Sequence, residues 1–120
     1  MTDELYRARI LDHAKAPRNM RAMPGATVCE KGSNPSCGDR LNFCVRVVDG
    51  VVVDASFEGD GCAISTAAAS LLTEHVRGMM VADARALDEE HVHALLGITV
   101  GPGREKCALL AWRALRKCVG

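Results

Sequence analysis

From Leu41 to Val47, apolar and polar residues alternate: Leu41, Phe43, Val45 and Val47 against Asn42, Cys44 and Arg46. Successive side chains of a strand point to opposite faces, so this run predicts a half-buried strand. The alternation resumes after Asp49-Gly50, with Val51, Val53, Ala55 and Phe57 set against Asp54, Ser56 and Glu58. The two runs predict a hairpin. A two-residue Asp-Gly turn would put the apolar rows on opposite faces. A three-residue loop, Val48-Asp49-Gly50, pairs Val47 with Val51, Val45 with Val53, Phe43 with Ala55 and Leu41 with Phe57, all on one face. Register follows the apolar match, so the longer loop is expected, with Gly50 left-handed. A third, shorter strand is expected over 26–32.

Helical spacing dominates elsewhere. Thr2 is a plausible cap for a first helix, with Asp3 and Glu4 in its first turn and Tyr6, Ile10 and Ala14 at i, i+4, i+8. Pro17 should end it, and residues 17–25, with two prolines and a glycine, read as a connector. After Gly59-Asp60-Gly61, a helix rich in small residues is expected from Cys62 towards Gly78. Asp88 should cap a short helix through Leu95 or Leu96. A last helix is expected from about Arg104, with Cys107, Leu110, Ala111, Ala114 and Cys118 on one stripe. Strands and helices are thus segregated. The class expected is α+β: a three-stranded antiparallel sheet with helices on one face, as one domain over 1–120.

Composition narrows the function. Basic and acidic residues balance at 15 each, and aromatics are 3%. Sequence-tolerant nucleic-acid binding draws on a basic excess and aromatic platforms, so no nucleic-acid partner is expected. The basic residues of 103–120, Arg104, Lys106, Arg113, Arg116 and Lys117, read as solvated helix faces. No apolar run approaches the roughly 20 residues of a membrane span, and no apolar leader follows Met1. A cytoplasmic protein is expected.

The six cysteines change the picture most. Without a secretion signal they are expected to be reduced. Cys29 and Cys44 fall within strands and Cys118 near a helix end, where a small apolar residue is the better account. Cys37 stands in a Pro/Gly loop, "SNPSCGD" (33–39), two residues before Asp39. Cys62 stands at a strand-to-helix junction, and Cys107 in the first turn of the last helix, beside Lys106 and near Arg104. The helix starts at Cys62 and Cys107 favour thiolates, and Cys107 has cations nearby. Element ends can converge at one sheet rim. There, three thiolates and a carboxylate would suit Zn²⁺ or an iron–sulfur cluster. The carboxylate oxygen is the harder, weaker ligand for an iron–sulfur centre, which suits cargo that must leave. Arg104 and Lys106 would offset the surplus negative charge.

At these residues the chain resembles the iron–sulfur cluster scaffold family of IscU, SufU and the N-terminal domain of NifU. The matching blocks are "LYRARILDHAKAPRN" (5–19), "NPSCGDRL" (34–41), "DASFEGDGCAISTAAAS" (54–70) and "REKCALLAWRAL" (104–115). The resemblance implies that Cys37, Asp39, Cys62 and Cys107 hold a transient [2Fe–2S] cluster or Zn²⁺. It implies sulfur delivery as persulfide from a pyridoxal-phosphate cysteine desulfurase, and transfer of the cluster to apo iron–sulfur proteins. Lys106 stands where IscU has histidine, and "TVGPGREK" (99–106) where IscU has its chaperone motif, so the motif is SufU-like. The 44 residues between Cys62 and Cys107 leave no room for the insertion usual in SufU.

Two functions follow from the resemblance, beside a third and blander reading, a structural zinc module that only docks partners. One is a scaffold with Asp39 as labile ligand and Cys107 as persulfide acceptor, carried by one chain or by a homodimer. The alternative is a Zn-dependent sulfurtransferase on the same residues. Whether the chain is an enzyme stays open between them, with a carrier preferred. His13, His75, Met79, Met80 and Tyr6 read as surface or packing residues. His91 and His93, two apart on one helix, point apart and should not share a metal.

Overall fold

The computed structural model describes residues 3–36, 38–98 and 100–120. The expected Thr2 cap and Cys37 lie outside them. The element order is α1 (Asp3–Lys15), β1 (Val28–Asn34), β2 (Asp39–Val48), β3 (Val51–Asp60), α2 (Ala63–Val76), α3 (Val81–Arg85), α4 (Glu89–Leu96) and α5 (Pro102–Val119). The strands form an antiparallel sheet in the order β1-β2-β3, and α2 and α5 pack on one face of it. The expected α+β architecture is present.

The hairpin differs from expectation. Val48 pairs with Val51 across a two-residue turn, in which Asp49 and Gly50 have φ of 51° and 76°. Two left-handed residues make the turn that matches strand twist, and Asp-Gly is a favoured pair for it. The face conflict that argued for a longer loop is removed by a bulge. Pairing steps from Val47↔Val52 to Arg46↔Asp54, leaving Val53 as the extra residue, and Val53 is 42% exposed. Beyond the bulge, Val45 faces Ala55 and Phe43 faces Phe57, and all four are buried against the helices.

The connector after α1 runs along the outer edge of β3. Arg21 N–H donates to Phe57 O, and Phe57 N–H to Asn19 O, both at 3.0 Å. α1 lies on α2, where Ile10 is buried and His13 Nδ1 sits 2.6 Å from Ser70 Oγ. Tyr6 packs on Gly97, which closes α4 with φ 73°. Asp88 caps α4 as expected, reciprocally with His91.

α5 starts earlier than Arg104, because Gly101 is its cap and Pro102 its first residue. Cys107 is therefore in the second turn and not the first. The helix is buried along 107–112 and at Ala114 and Leu115, well beyond the expected stripe. β1 and β2 lie on one side of it and α2, α3 and α4 on others. Gly32 of β1 permits the close approach: a Cβ there would sit 3.1 Å from Leu110 Cδ1. α3, only five residues long, has no readable period.

Two thiols depart from the expected reduced state. Cys29 and Cys44 are directly opposite in the β1–β2 register, 4.0 Å apart at Cα, and form a disulfide. They are close because adjacent strands face each other there, a pairing that the separate alternation of each strand does not reveal.

Candidate metal centre

Asp39 is the first residue of β2 and continues the row of Leu41, Phe43 and Val45 towards the helices. Cys62 is the N-cap of α2, reached from β3 through Gly61. Cys107 comes from the second turn of α5. Three elements distant in sequence thus end at one rim of the sheet. There a carboxylate oxygen of Asp39 and the sulfurs of Cys62 and Cys107 lie within 4.8 Å of one another. Asp39 is 3% exposed and Cys107 1%, while Cys62 is half-buried.

The carboxylate is only half satisfied. Oδ1 accepts the Cys62 N–H at 3.0 Å, which ties the end of β2 to the start of α2. Oδ2 is buried and has no hydrogen-bond partner among the described residues. A buried orphan acceptor is costly, and a cation removes that cost. Gly61 keeps the junction tight, since a Cβ there would lie 2.2 Å from Ser65 Oγ and 3.5 Å from Asp39 Oδ1. An oxygen with a free lone pair beside two thiols is a donor set that fits Zn²⁺ or an iron–sulfur cargo.

Electrostatics favour a thiolate at Cys62. Burial pushes its thiol up, but hydrogen bonds with the Ser65 backbone, the Ser65 hydroxyl and Cys107 outweigh it, and the net shift is downward despite Asp39. Ser65 Oγ also donates to Cys62 O at 3.0 Å. Cys118, by contrast, is pushed up to about 11 by burial and, secondarily, by Glu30.

Of the residues singled out from sequence, Asp39, Cys62 and Cys107 are brought together. Cys37 falls outside the described residues. Gly38 N–H donates to Asn34 O at 3.0 Å. Arg104 and Lys106 are exposed at the start of α5. His91 is occupied as a cap partner, and His93 lies 3.7 Å from Glu105. Two residues of the site were missed. Asn34 Nδ2 donates to Cys107 Sγ at 3.7 Å, and Ser65 sets the Cys62 environment. Ser65 was findable, because a hydroxyl three residues beyond an N-cap can reach its backbone. Asn34 was not, because its partner is 73 residues away.

The NifU-like N-terminal domain family model matches residues 5–120. The zinc-dependent sulfurtransferase SufU of Bacillus subtilis is 37% identical over 98% of this chain and 90% of that protein. The iron–sulfur cluster assembly scaffold protein IscU of Thermotoga maritima is also 37% identical, over 96% and 92%. Among solved structures, a hypothetical protein superposes with a TM-score of 0.85 at 32% identity, covering 98% of each chain. A putative scaffold protein for the SUF system from Fervidobacterium islandicum superposes at 0.78 with 26% identity, over 99% of this chain and 100% of that one. No helix among the described residues is long and apolar enough to cross a membrane. By sequence match over nearly its whole length, the chain belongs to the family of NifU-like N-terminal domains.

Proposed function

We propose that this protein is an iron–sulfur cluster assembly scaffold. It receives sulfane sulfur from a pyridoxal-phosphate cysteine desulfurase, builds a labile [2Fe–2S] cluster on Cys37, Asp39, Cys62 and Cys107 as an external electron donor reduces that sulfur to sulfide, and passes it to apo-proteins. The observation that carries this reading is the buried Oδ2 of Asp39, unpartnered among the described residues, beside the sulfurs of Cys62 and Cys107. A structural site would favour four matched ligands. One hard oxygen among soft sulfurs is the weak point through which a cluster can leave. Cys37 is the fourth ligand in this proposal, and Arg104 and Lys106 offset the charge of the anionic site. Cys107 is the persulfide acceptor. At 1% exposure it must be uncovered first, so its contact with Asn34 breaks during sulfur transfer.

The alternative of a Zn-dependent sulfurtransferase is favoured by one observation, the 37% identity to a protein of that name. In that case Zn²⁺ orders the same ligands, and Cys107 leaves the metal to take sulfur. One experiment separates the two. The protein is purified without oxygen, reconstituted with ferrous iron, a desulfurase, cysteine and a dithiol reductant, and assayed for iron, zinc, acid-labile sulfide and visible charge-transfer absorption. A scaffold gives a coloured, sulfide-containing species whose lifetime lengthens in Asp39→Ala. Colourless protein with retained zinc, and desulfurase stimulation lost in Cys107→Ala, would replace the scaffold with the sulfurtransferase.

A further inference from the structure

The geometry points to a second sulfur site, away from the metal centre: the Cys29–Cys44 pair is a thiol–disulfide exchange site for external thiols, attacked at Cys29 with Cys44 as leaving group. The pair lies on the sheet face opposite the helices, since Gly32 in the alternate row of β1 meets α5 and Val45 of β2 is buried in the core. It is five residues along β1 from Asn34, or about 17 Å at strand rise.

The two sulfurs differ in a way that gives the exchange a direction. Cys29 is exposed on the edge strand, whereas Cys44, on the central strand, is 5% exposed. Exchange needs access to the attacked sulfur, so the exposed residue of the pair, Cys29, is the one a thiolate from solvent attacks. Cys44 is provided for as the departing thiolate. Asn42 Nδ2 already donates towards its sulfur at 3.6 Å. Ser56 stands directly opposite Cys44 in the β2–β3 register, 1% exposed, and its Oγ has no hydrogen-bond partner among the described residues. Directly opposite residues have Cβ atoms about 4.5–5.5 Å apart, so this hydroxyl is within reach of a thiolate at Cys44. A disulfide sulfur is a poor acceptor. Reduction creates the strong acceptor that a buried, unpartnered hydroxyl lacks, and a stabilised leaving thiolate departs faster.

The step balances. An external thiolate bonds to Cys29 Sγ as the Cys29–Cys44 bond breaks, and the electron pair leaves on Cys44 Sγ. A second external thiolate attacks the external sulfur of the mixed disulfide and releases Cys29 as thiolate. The two thiolates take up protons. The protein disulfide is reduced by two electrons, and two external thiols are oxidised to their disulfide. The reverse sequence, with a small disulfide as oxidant, closes the pair again. Accessible disulfides of this kind are the exchangeable ones.

The test is independent of metal and cluster. Free thiols of the full-length native chain are blocked with N-ethylmaleimide, reduced glutathione is added, and new thiols are trapped with iodoacetamide at early times. Peptide mass spectrometry locates each label. The expected result is glutathione on Cys29, the iodoacetamide label on Cys44, and neither residue blocked beforehand. As a check that does not depend on blocking the site cysteines, Cys44→Ser and Cys29→Ser are compared with oxidised glutathione after circular dichroism confirms folding. Cys29 in the first should react at least about tenfold faster than Cys44 in the second, the difference that access makes. Ser56→Ala should slow reduction of the native pair by roughly threefold or more, because the leaving thiolate loses a donor. Blocking of Cys29 or Cys44 before reduction, glutathione on Cys44, exchange only in urea, or equal rates in the two variants would overturn the proposal. So would unchanged or faster reduction in Ser56→Ala.

Discussion

Replacing Asp39 tests the reading of the site as a place built for a cation. In the metal-free protein, Asp39→Ala removes the acceptor of the Cys62 N–H at 3.0 Å. A hydrogen bond to a carboxylate is worth about 1.5–3 kcal/mol, and the small void left adds about 1 kcal/mol. Against this stands the carboxylate itself, 3% exposed, with Oδ2 unpartnered among the described residues. Holding such a group out of water without a counter-ion costs several kcal/mol. The opposing effects are of similar size, so metal-free Asp39→Ala should match the parent within about 1 kcal/mol. Asp39→Asn keeps an acceptor oxygen and the volume but loses the charge, so it should be more stable than the parent by about 1–2 kcal/mol. Urea unfolding in the presence of chelator, followed by circular dichroism and fluorescence of Trp112, measures both. A loss of 3 kcal/mol or more in Asp39→Ala, or destabilisation by Asn, would refute the reasoning. Either would mean that the carboxylate is satisfied within the protein and awaits no cation.

Three further predictions concern the framework. Gly97→Ala should cost about 2–4 kcal/mol, because φ is 73° and the new Cβ would lie 1.9 Å from the Tyr6 ring; Tyr6→Ala in that background should recover part of the loss, and additive losses in a double-mutant cycle would refute the contact. His13 is held below its ordinary 6.5 first by burial and then by Arg18. The unfolded chain therefore binds the extra proton first, so stability should fall as pH drops from about 6.5 towards the lower folded value; in His13→Gln that part of the slope should vanish, and an unchanged slope would exclude His13 as its source. Cys118, at about 11, should present about one thiolate per thousand at pH 8; timed alkylation of the native, metal-free chain should label Cys62 well before Cys118, and the reverse order would contradict both assignments.

Much of the fold is local in origin. The alternation through Leu41–Val47, the Asp88 cap and the Pro17 stop act over a few residues, and each appears in the structure where its local signal lies. The hairpin shows the limit of that logic. Asp49-Gly50 favours the short turn, and the apolar rows favour the longer loop. Local patterning could not weigh one against the other, because the bulge at Val53 that satisfies both becomes worthwhile only once the helices cover one face of the sheet. Cys107 shows it differently: a reading confined to one stripe of α5 cannot reveal that elements crowd it on several sides.

The candidate centre divides along the same line. Residue types and their settings at element ends mark Asp39, Cys62 and Cys107 without coordinates, because thiols and a carboxylate at loops and caps have specific chemistry and little packing value. Their meeting within 4.8 Å, the Oδ2 left without a partner among the described residues, and the donors Asn34 and Ser65 around the sulfurs exist only after β2, α2 and α5 have packed. The pairing of Cys29 with Cys44 likewise depends on the β1–β2 register. Backbone preferences and side-chain chemistry belong to each residue and its near neighbours, so they can be read along the chain. Distances between remote side chains, and the water excluded from between them, belong to the packed whole.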